Sequence, residues 1–170
     1  GFYGGEPTLA FHLMRHAVEF LESNGQIENF HFGVTTNFTD VSSELLHFLV
    51  KYDITTYVSL DGPKHVHDRY RLKPDRSGTF DSVMRNLRAL RDMDASFYER
   101  NVCFNPVYAP PYRLDEVIEF YEREDMVRGH LVTFTQVGTP RTLFADCTQD
   151  FLNSCNIREQ WGRYVGAARR

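Results

Sequence analysis

Strand-like and helix-like segments alternate along the chain, and this order constrains the fold more than any other feature. Short segments rich in β-branched and aromatic residues predict strands. Each is followed by apolar residues spaced three and four positions apart, which predict a helix. This alternation predicts an α/β fold, with a parallel sheet and outer helices. An open doubly wound sheet and part of a β/α barrel both fit. The predicted strands are FY before Gly4, IENFHFGVTTN, ITTYVSL, NVCFNPVYA and GHLVTFTQVG.

Residues typical of helix ends mark several boundaries. Asn24 and Gly25 follow the first helical pattern as a stop signal, and Ser42 or Ser43 can cap the second helix. The C-terminal segment 149–170 is predicted to be mostly helical. No linker or low-complexity run interrupts the chain, so residues 1–170 are expected to form one domain or a piece of one.

Composition narrows the class of protein. The chain has 170 residues, a formal net charge of −4 and charges of both signs mixed along its length. This pattern argues against nucleic acid or a membrane surface as partner. Three cysteines at separate positions, Cys103, Cys147 and Cys155, suggest reduced thiols in a cytoplasmic protein.

The end of every predicted strand is polar. In parallel α/β folds, ligands bind where the carboxyl ends of the strands meet the loops that follow. These positions are therefore the candidates for a binding site. They are Gly4-Gly5-Glu6, Thr35-Thr36-Asn37, Ser59-Leu60-Asp61-Gly62-Pro63, Asn105-Pro106 and Thr135-Gln136.

Each candidate also has a purely structural interpretation. Gly4 and Gly5 could form a tight turn, with Glu6 placing a favourable charge at a helix start. Asn37 could cap or turn the chain, and Arg71 could be a solvated surface residue. As a binding site, the glycines would let the backbone approach a ligand. Backbone carbonyls and the Glu6 carboxylate could accept the hydrogens of an ammonium group, and Arg71 could hold a carboxylate.

A metal site at His65 and His67 is disfavoured. Two residues that are two positions apart share a face only in a strand, and GPKHVHD is typical of a turn leading into a helix. Cys103 is expected to be a buried strand residue, and Asp115 and Glu116 are typical charges of a helix start.

Four motifs, in this order and spacing, resemble the radical S-adenosylmethionine (SAM) superfamily: FYGGEPTL, VTTN, SLDGPKHVHDRYR and SGTFDSVMRNLRAL. The most similar branch contains anaerobic sulfatase maturases and other SPASM-type peptide and protein maturases. The resemblance implies a partial (β/α)6 TIM-like barrel that holds SAM and a 4Fe–4S cluster. It also implies a peptide or protein substrate, and an electron donor such as flavodoxin or ferredoxin.

The resemblance assigns cofactor contacts to seven residues of this chain. It implies that Gly4, Gly5 and Glu6 receive the ammonium group of the SAM methionine.

The resemblance also implies contacts further along the chain. It places Ser59 and Arg71 near the carboxylate and ribose of SAM. It places Asn37, with Thr36 beside it, next to the cofactor, and Val132 near the adenine.

One departure from the family pattern limits this prediction. The cluster of the family is held by a C-x-x-x-C-x-x-C loop, and no such motif occurs in this sequence. We therefore expect a fragment, inactive by itself, whose first β/α unit lies upstream of Gly1 and which lacks the SPASM region. Two alternatives stay open: a cluster-free barrel that binds a peptide or partner, and an unrelated β/α enzyme with a chance GGE.

Overall fold

A computed structural model describes residues 1–108 and 114–136. The helices are α1 Phe11–Ser23, α2 Ser43–Lys51, α3 Lys64–Tyr70, α4 Phe80–Met93, α5 Ala95–Asn101 and α6 Leu114–Arg123. The strands are β1 Gly33–Thr36, β2 Thr55–Val58, β3 Val102–Phe104, β4 Val107–Tyr108, β5 Leu131–Val132 and β6 Thr135–Gln136. Short 3₁₀ helices cover Pro7–Ala10 and Ile27–Asn29.

The strands form a parallel sheet in sequential order, β1-β2-β3-β5. Phe2 adds a parallel bridge to Val34 at the β1 edge, so the predicted first strand reduces to one paired residue. A doubly wound sheet would reverse its strand order at a switch point, whereas a barrel keeps the strands in sequence. The described strands therefore have the order of a β/α barrel, which decides between the two architectures.

The two faces of the sheet differ in burial. Val34, Thr56 and Val102 are neighbours in register on one face, and all three are buried. This face packs against the helices, where α1 contributes Met14 and Val18. Alternate residues such as Thr35 and Tyr57 point to the opposite face, because successive side chains in a strand alternate. That opposite face is the inner face of the barrel.

Local capping explains where several helices begin. Ser42 caps α2 by accepting the Leu45 N–H at 3.1 Å, which selects Ser42 over Ser43. Asp94 ends α4 and caps α5 by accepting the Phe97 N–H at 2.8 Å. Helix α5 was not predicted, because its helical pattern continues directly from that of α4.

The segment NVCFNPVYA is two strands rather than the single predicted strand. Pro106 has no N–H to donate, which interrupts the ladder between β3 and β4. Beyond this break β4 pairs with β6 in a separate two-stranded sheet. The predicted C-terminal helix, together with Cys147 and Cys155, lies outside the described residues. In the described part of the chain, no helix has the length and apolar character that crossing a membrane requires.

Candidate functional site

Six of the seven predicted cofactor contacts line one cavity at the carboxyl edge of the sheet. The cavity has a volume of about 490 Å³ and lies where the N-terminal segment, β1 and β2 end. Neighbouring parallel strands finish at the same edge, and this brings distant parts of the sequence together. The lining residues are Tyr3, Gly4, Gly5, Glu6, Thr35, Thr36, Asn37, Ser59 and Arg71.

The carboxylate of Glu6 joins the N-terminal segment to the end of β1. Its Oε1 accepts the Thr8 N–H at 3.1 Å, the Thr8 hydroxyl at 2.8 Å and the Thr36 hydroxyl at 2.8 Å. Its Oε2 accepts the Asn37 N–H at 2.7 Å. A carboxylate offers about two acceptor positions on each oxygen, so Oε1 is fully used by protein groups and Oε2 keeps one position for a ligand. Glu6 thus shapes the cavity wall, and it also caps the 3₁₀ helix as its structural interpretation predicts.

The two glycines give the cavity an open backbone wall. Gly4 has a φ of +129°, a conformation that L side chains rarely adopt. A Cβ added at Gly4 or Gly5 would meet no atom within 4 Å, so the space beside both residues is open. A ligand in the cavity can therefore approach the backbone here, as the sequence predicts.

Asn37 forms a local turn and also lies at the cavity wall. Its side-chain Oδ1 accepts the Thr39 N–H at 2.9 Å, which is the turn that its structural interpretation predicts. The residue nevertheless lines the cavity. Its own N–H is already bound to Glu6. Asn37 is therefore held firmly at the cavity edge.

Arg71 is not a solvated surface residue. It directly follows α3 and makes a two-bond ion pair with Asp61: Nε donates to Oδ2 at 2.5 Å and Nη2 to Oδ1 at 2.9 Å. The Asp61 side chain is 8% exposed and the Arg71 side chain 24%. Ser59 directly follows β2 and lines the same cavity as Arg71, and its N–H donates to the Thr36 carbonyl at 2.9 Å.

Sequence reasoning missed Asp61 as a partner of Arg71, as well as Tyr3 in the cavity wall, whereas it named Thr35 among the candidate positions. The sequence analysis names Asp61 only among the polar residues that follow a predicted strand. A usable signal was present, since an acid directly after a strand and an arginine past the next short helix can meet at the sheet edge. Tyr3 follows the paired Phe2, so it had to point to the inner face.

The structure does not bring Val132 to this cavity. It lies on β5, at the far end of the sheet, beside Phe104. It is half-buried and packs against the hydrophobic core, on the face that the helices cover. Its neighbour Leu131 is on the opposite face and is 63% exposed. The adenine contact of Val132 stays a prediction.

His67 and the strand cysteine Cys103 are both buried. His67 is fully buried; its Nδ1 accepts the Asp61 N–H at 3.2 Å and its Nε2 contacts the Thr79 hydroxyl at 2.9 Å. Burial lowers the pKa of His67 to about 4, so the ring is neutral near pH 7. Cys103 is a free, buried thiol whose pKa is raised by burial. Within residues 1–108 and 114–136, no group of three or more His, Cys, Asp or Glu side chains could hold a metal ion.

The family comparison agrees with this site. The model of the radical SAM superfamily matches residues 1–123, which include every lining residue of the cavity. The chain belongs to the radical SAM superfamily. SAM and a 4Fe–4S cluster are the cofactors of this superfamily.

A curated protein is similar to much of this chain. The chain is 27% identical, over 126 residues, to a cysteine-type anaerobic sulfatase-maturating enzyme of Clostridium novyi (strain NT). The matched region is 73% of this chain and 33% of that enzyme. The chain thus spans about a third of the length of this radical SAM relative.

Solved structures show the same fold. The anaerobic sulfatase-maturating enzyme anSMEcpe, with bound AdoMet (SAM) and the Kp18Cys peptide, matches with a TM-score of 0.67 and 22% identity. The match covers 91% of this chain and 47% of that one. The same enzyme with AdoMet alone gives a TM-score of 0.68 at 21% identity. At this identity the likeness establishes the radical SAM barrel fold.

Proposed function

We propose that the cavity binds SAM and that the full-length protein is a radical SAM oxidoreductase that modifies a peptide or protein side chain. The observation that carries this proposal is the convergence of GGE, Asn37, Ser59 and Arg71 on one polar cavity. The relative named as a sulfatase-maturating enzyme and the peptide-bound anSMEcpe structure support a peptide or protein substrate.

The cavity residues suit the methionine end of SAM. Backbone carbonyls of the glycine turn, with the remaining acceptor capacity of Glu6, would receive the ammonium group. Arg71 would hold the carboxylate through a charge-assisted pair, with Ser59 beside it. Asn37 would lie next to the cofactor. A contact between Val132 and the adenine belongs to the same proposal.

The described residues do not form the cluster site. A 4Fe–4S cluster is held by cysteine thiolates, and the described part of the chain contains one cysteine, Cys103. This thiol is buried, and burial raises its pKa, which disfavours the thiolate that binds iron. We propose that cysteines of the full-length protein outside the described residues hold the cluster.

When bound, and with one electron from the electron donor, the two cofactors would supply the radical chemistry that removes a hydrogen atom from the substrate. The protein groups described above bind and orient SAM for that reaction. The proposal includes an electron donor such as flavodoxin or ferredoxin, a cytoplasmic location, and no nucleic-acid or membrane partner. The net charge of −4, with both signs mixed along the chain, supports the absence of a nucleic-acid or membrane partner.

Reductive cleavage of SAM tests the proposed function. The full-length protein would be reconstituted anaerobically with iron and sulfide, reduced with dithionite, and assayed for 5′-deoxyadenosine. We expect 5′-deoxyadenosine that depends on the reductant and on SAM. SAM binding without cleavage would favour a cluster-free binding module. The absence of both binding and cleavage would overturn the proposal.

A further inference from the structure

Asp61 lies behind Arg71 as seen from the cavity. Arg71 lines the cavity wall, whereas Asp61 is not among the lining residues. Asp61 accepts two hydrogen bonds from the guanidinium group, through Nε and Nη2. A guanidinium has five N–H donors, so three remain for other acceptors. Within residues 1–108 and 114–136, Asp61 is the only hydrogen-bond partner of the guanidinium.

Asp61 is itself held from several sides. The Val107 N–H donates to its Oδ1 at 2.9 Å, so the carboxylate receives three N–H groups in all. Its own N–H donates to His67 Nδ1. The preceding carbonyl, of Leu60, accepts the hydroxyl of the buried Tyr121. The carboxylate therefore has little freedom to move.

The backbone of Arg71 belongs to the same network. The Thr79 hydroxyl, which contacts His67 Nε2, donates to the Arg71 carbonyl at 3.0 Å. The Arg71 N–H donates to the His67 carbonyl at 3.1 Å. Both ends of the arginine are thus fixed, with its backbone anchored through His67 and Thr79 and its side chain through Asp61.

We infer that Asp61 is a positioning residue that aims the guanidinium of Arg71 at the carboxylate of SAM. This inference rests on the proposed function and extends it to a residue outside the cavity wall. A long, flexible arginine side chain loses rotamer freedom when it binds a ligand. The ion pair has already removed that freedom, so an α-carboxylate meets a preorganised donor.

Decarboxylated SAM separates this role from a general structural one. It keeps the sulfonium, the adenosine and the amine, and it lacks only the carboxylate that Arg71 is proposed to bind. Affinities of both compounds for the reconstituted full-length protein would be measured by isothermal titration calorimetry. The variant is Asp61→Asn, which keeps an oxygen for the Val107 N–H. The matched control is Asp125→Asn, which removes an exposed ion pair with Arg91.

We expect Asp61→Asn to weaken SAM binding about tenfold and decarboxylated SAM binding by less than about threefold. Asp125→Asn should leave both affinities unchanged. An equal loss for both compounds, or no loss, would overturn the positioning role. If the wild-type protein binds neither compound, the proposed function fails and this inference fails with it.

Arg71→Lys provides a second test, which can be used if Asp61→Asn does not fold. It tests whether recognition of the carboxylate needs the fixed geometry of the guanidinium. Lysine keeps the positive charge and loses the two-bond geometry of the pair. We expect this variant to lose most of the wild-type preference for SAM over decarboxylated SAM. A full wild-type preference in Arg71→Lys would show that the fixed guanidinium geometry is not needed.

Discussion

The backbone N–H of Asn37 donates to Glu6 Oε2 over 2.7 Å, so one side chain connects the glycine turn to the end of β1. The other carboxylate oxygen binds Thr8 and Thr36. Glu6 therefore joins two parts of the cavity wall, the glycine turn and the end of β1, in addition to any direct contact with a ligand.

Glu6→Ala should reduce both stability and SAM affinity. The backbone N–H of Asn37 and the hydroxyl of Thr36 lose their acceptor, which costs about 1–3 kcal/mol of unfolding free energy. We expect SAM affinity to fall roughly ten- to a hundredfold, because a charged acceptor and the wall geometry are lost together. Urea unfolding and calorimetric titration measure the two effects. Glu44→Ala, at an exposed carboxylate paired with Arg15, is the control. Wild-type SAM affinity in Glu6→Ala would contradict the assignment of Glu6 to the SAM site.

Gly5→Ala should weaken SAM binding without destabilising the protein. The added methyl meets no protein atom within 4 Å, and Gly5 has no positive φ. We expect the unfolding free energy to stay within about 0.5 kcal/mol of wild type. The methyl would occupy space in the cavity, so SAM affinity should fall about tenfold, equivalent to about 1.4 kcal/mol. Unchanged affinity would mean that no ligand approaches this backbone.

Gly4→Ala distinguishes backbone strain from ligand contact. Its φ of +129° is unfavourable for alanine, although the space beside it is open. We expect a loss of about 1–3 kcal/mol in unfolding free energy, in contrast to Gly5→Ala. Equal stability of the two variants in urea unfolding would contradict the turn geometry described here.

Gly78→Ala should destabilise the start of α4. A Cβ at this position would lie 2.0 Å from Asp68 Cγ. The Asp68 carboxylate accepts the Phe80 N–H at 2.8 Å, so it cannot move away without losing a bond at the first residue of α4. We expect a loss of about 1–3 kcal/mol, measured by thermal or urea unfolding. Gly33→Ala, whose Cβ would meet atoms only at 3.6 Å, should be much milder.

Stability should fall as the pH is lowered from about 6.5 towards 4, and His67 should be one cause. Burial lowers its pKa from 6.5 to about 4, so between these values the unfolded chain binds a proton that the folded protein excludes. The favourable contribution is therefore present above about pH 6.5 and is lost as the pH falls. Its size is about 3 kcal/mol over the whole range. Nearby charges act on this pKa in opposite directions. The carboxylates of Asp61 and Asp68 raise it, and the positive charges of Arg71 and Lys64 lower it.

Urea unfolding at several pH values tests the role of His67. His67→Gln should show a shallower decline of unfolding free energy between pH 6.5 and 4 than wild type. His12→Gln, at an exposed position, should keep the wild-type decline. Parallel curves for wild type and His67→Gln would show that this histidine does not cause the dependence.

The parallel sheet and the cavity could be predicted because their signals are local. Strand patterns end on polar residues, and parallel topology brings those ends to one edge. The motifs that resemble the radical SAM superfamily supplied the proposed SAM contact of each cavity residue. Three features depend on tertiary structure. The Asp61–Arg71 pair requires the path of α3, the break at Pro106 redirects a strand to a new partner, and β5 is too short for alternation to show which way Val132 points.

Hydrogen–deuterium exchange of the full-length protein, with and without SAM, tests the central claim most directly. The account predicts that SAM slows exchange in peptides covering residues 3–6, 35–37 and 59–71, and leaves peptides from the outer helix α6 unchanged. Protection confined to other parts of the barrel, or no protection at SAM concentrations that saturate binding, would contradict the assignment of this cavity as the SAM site.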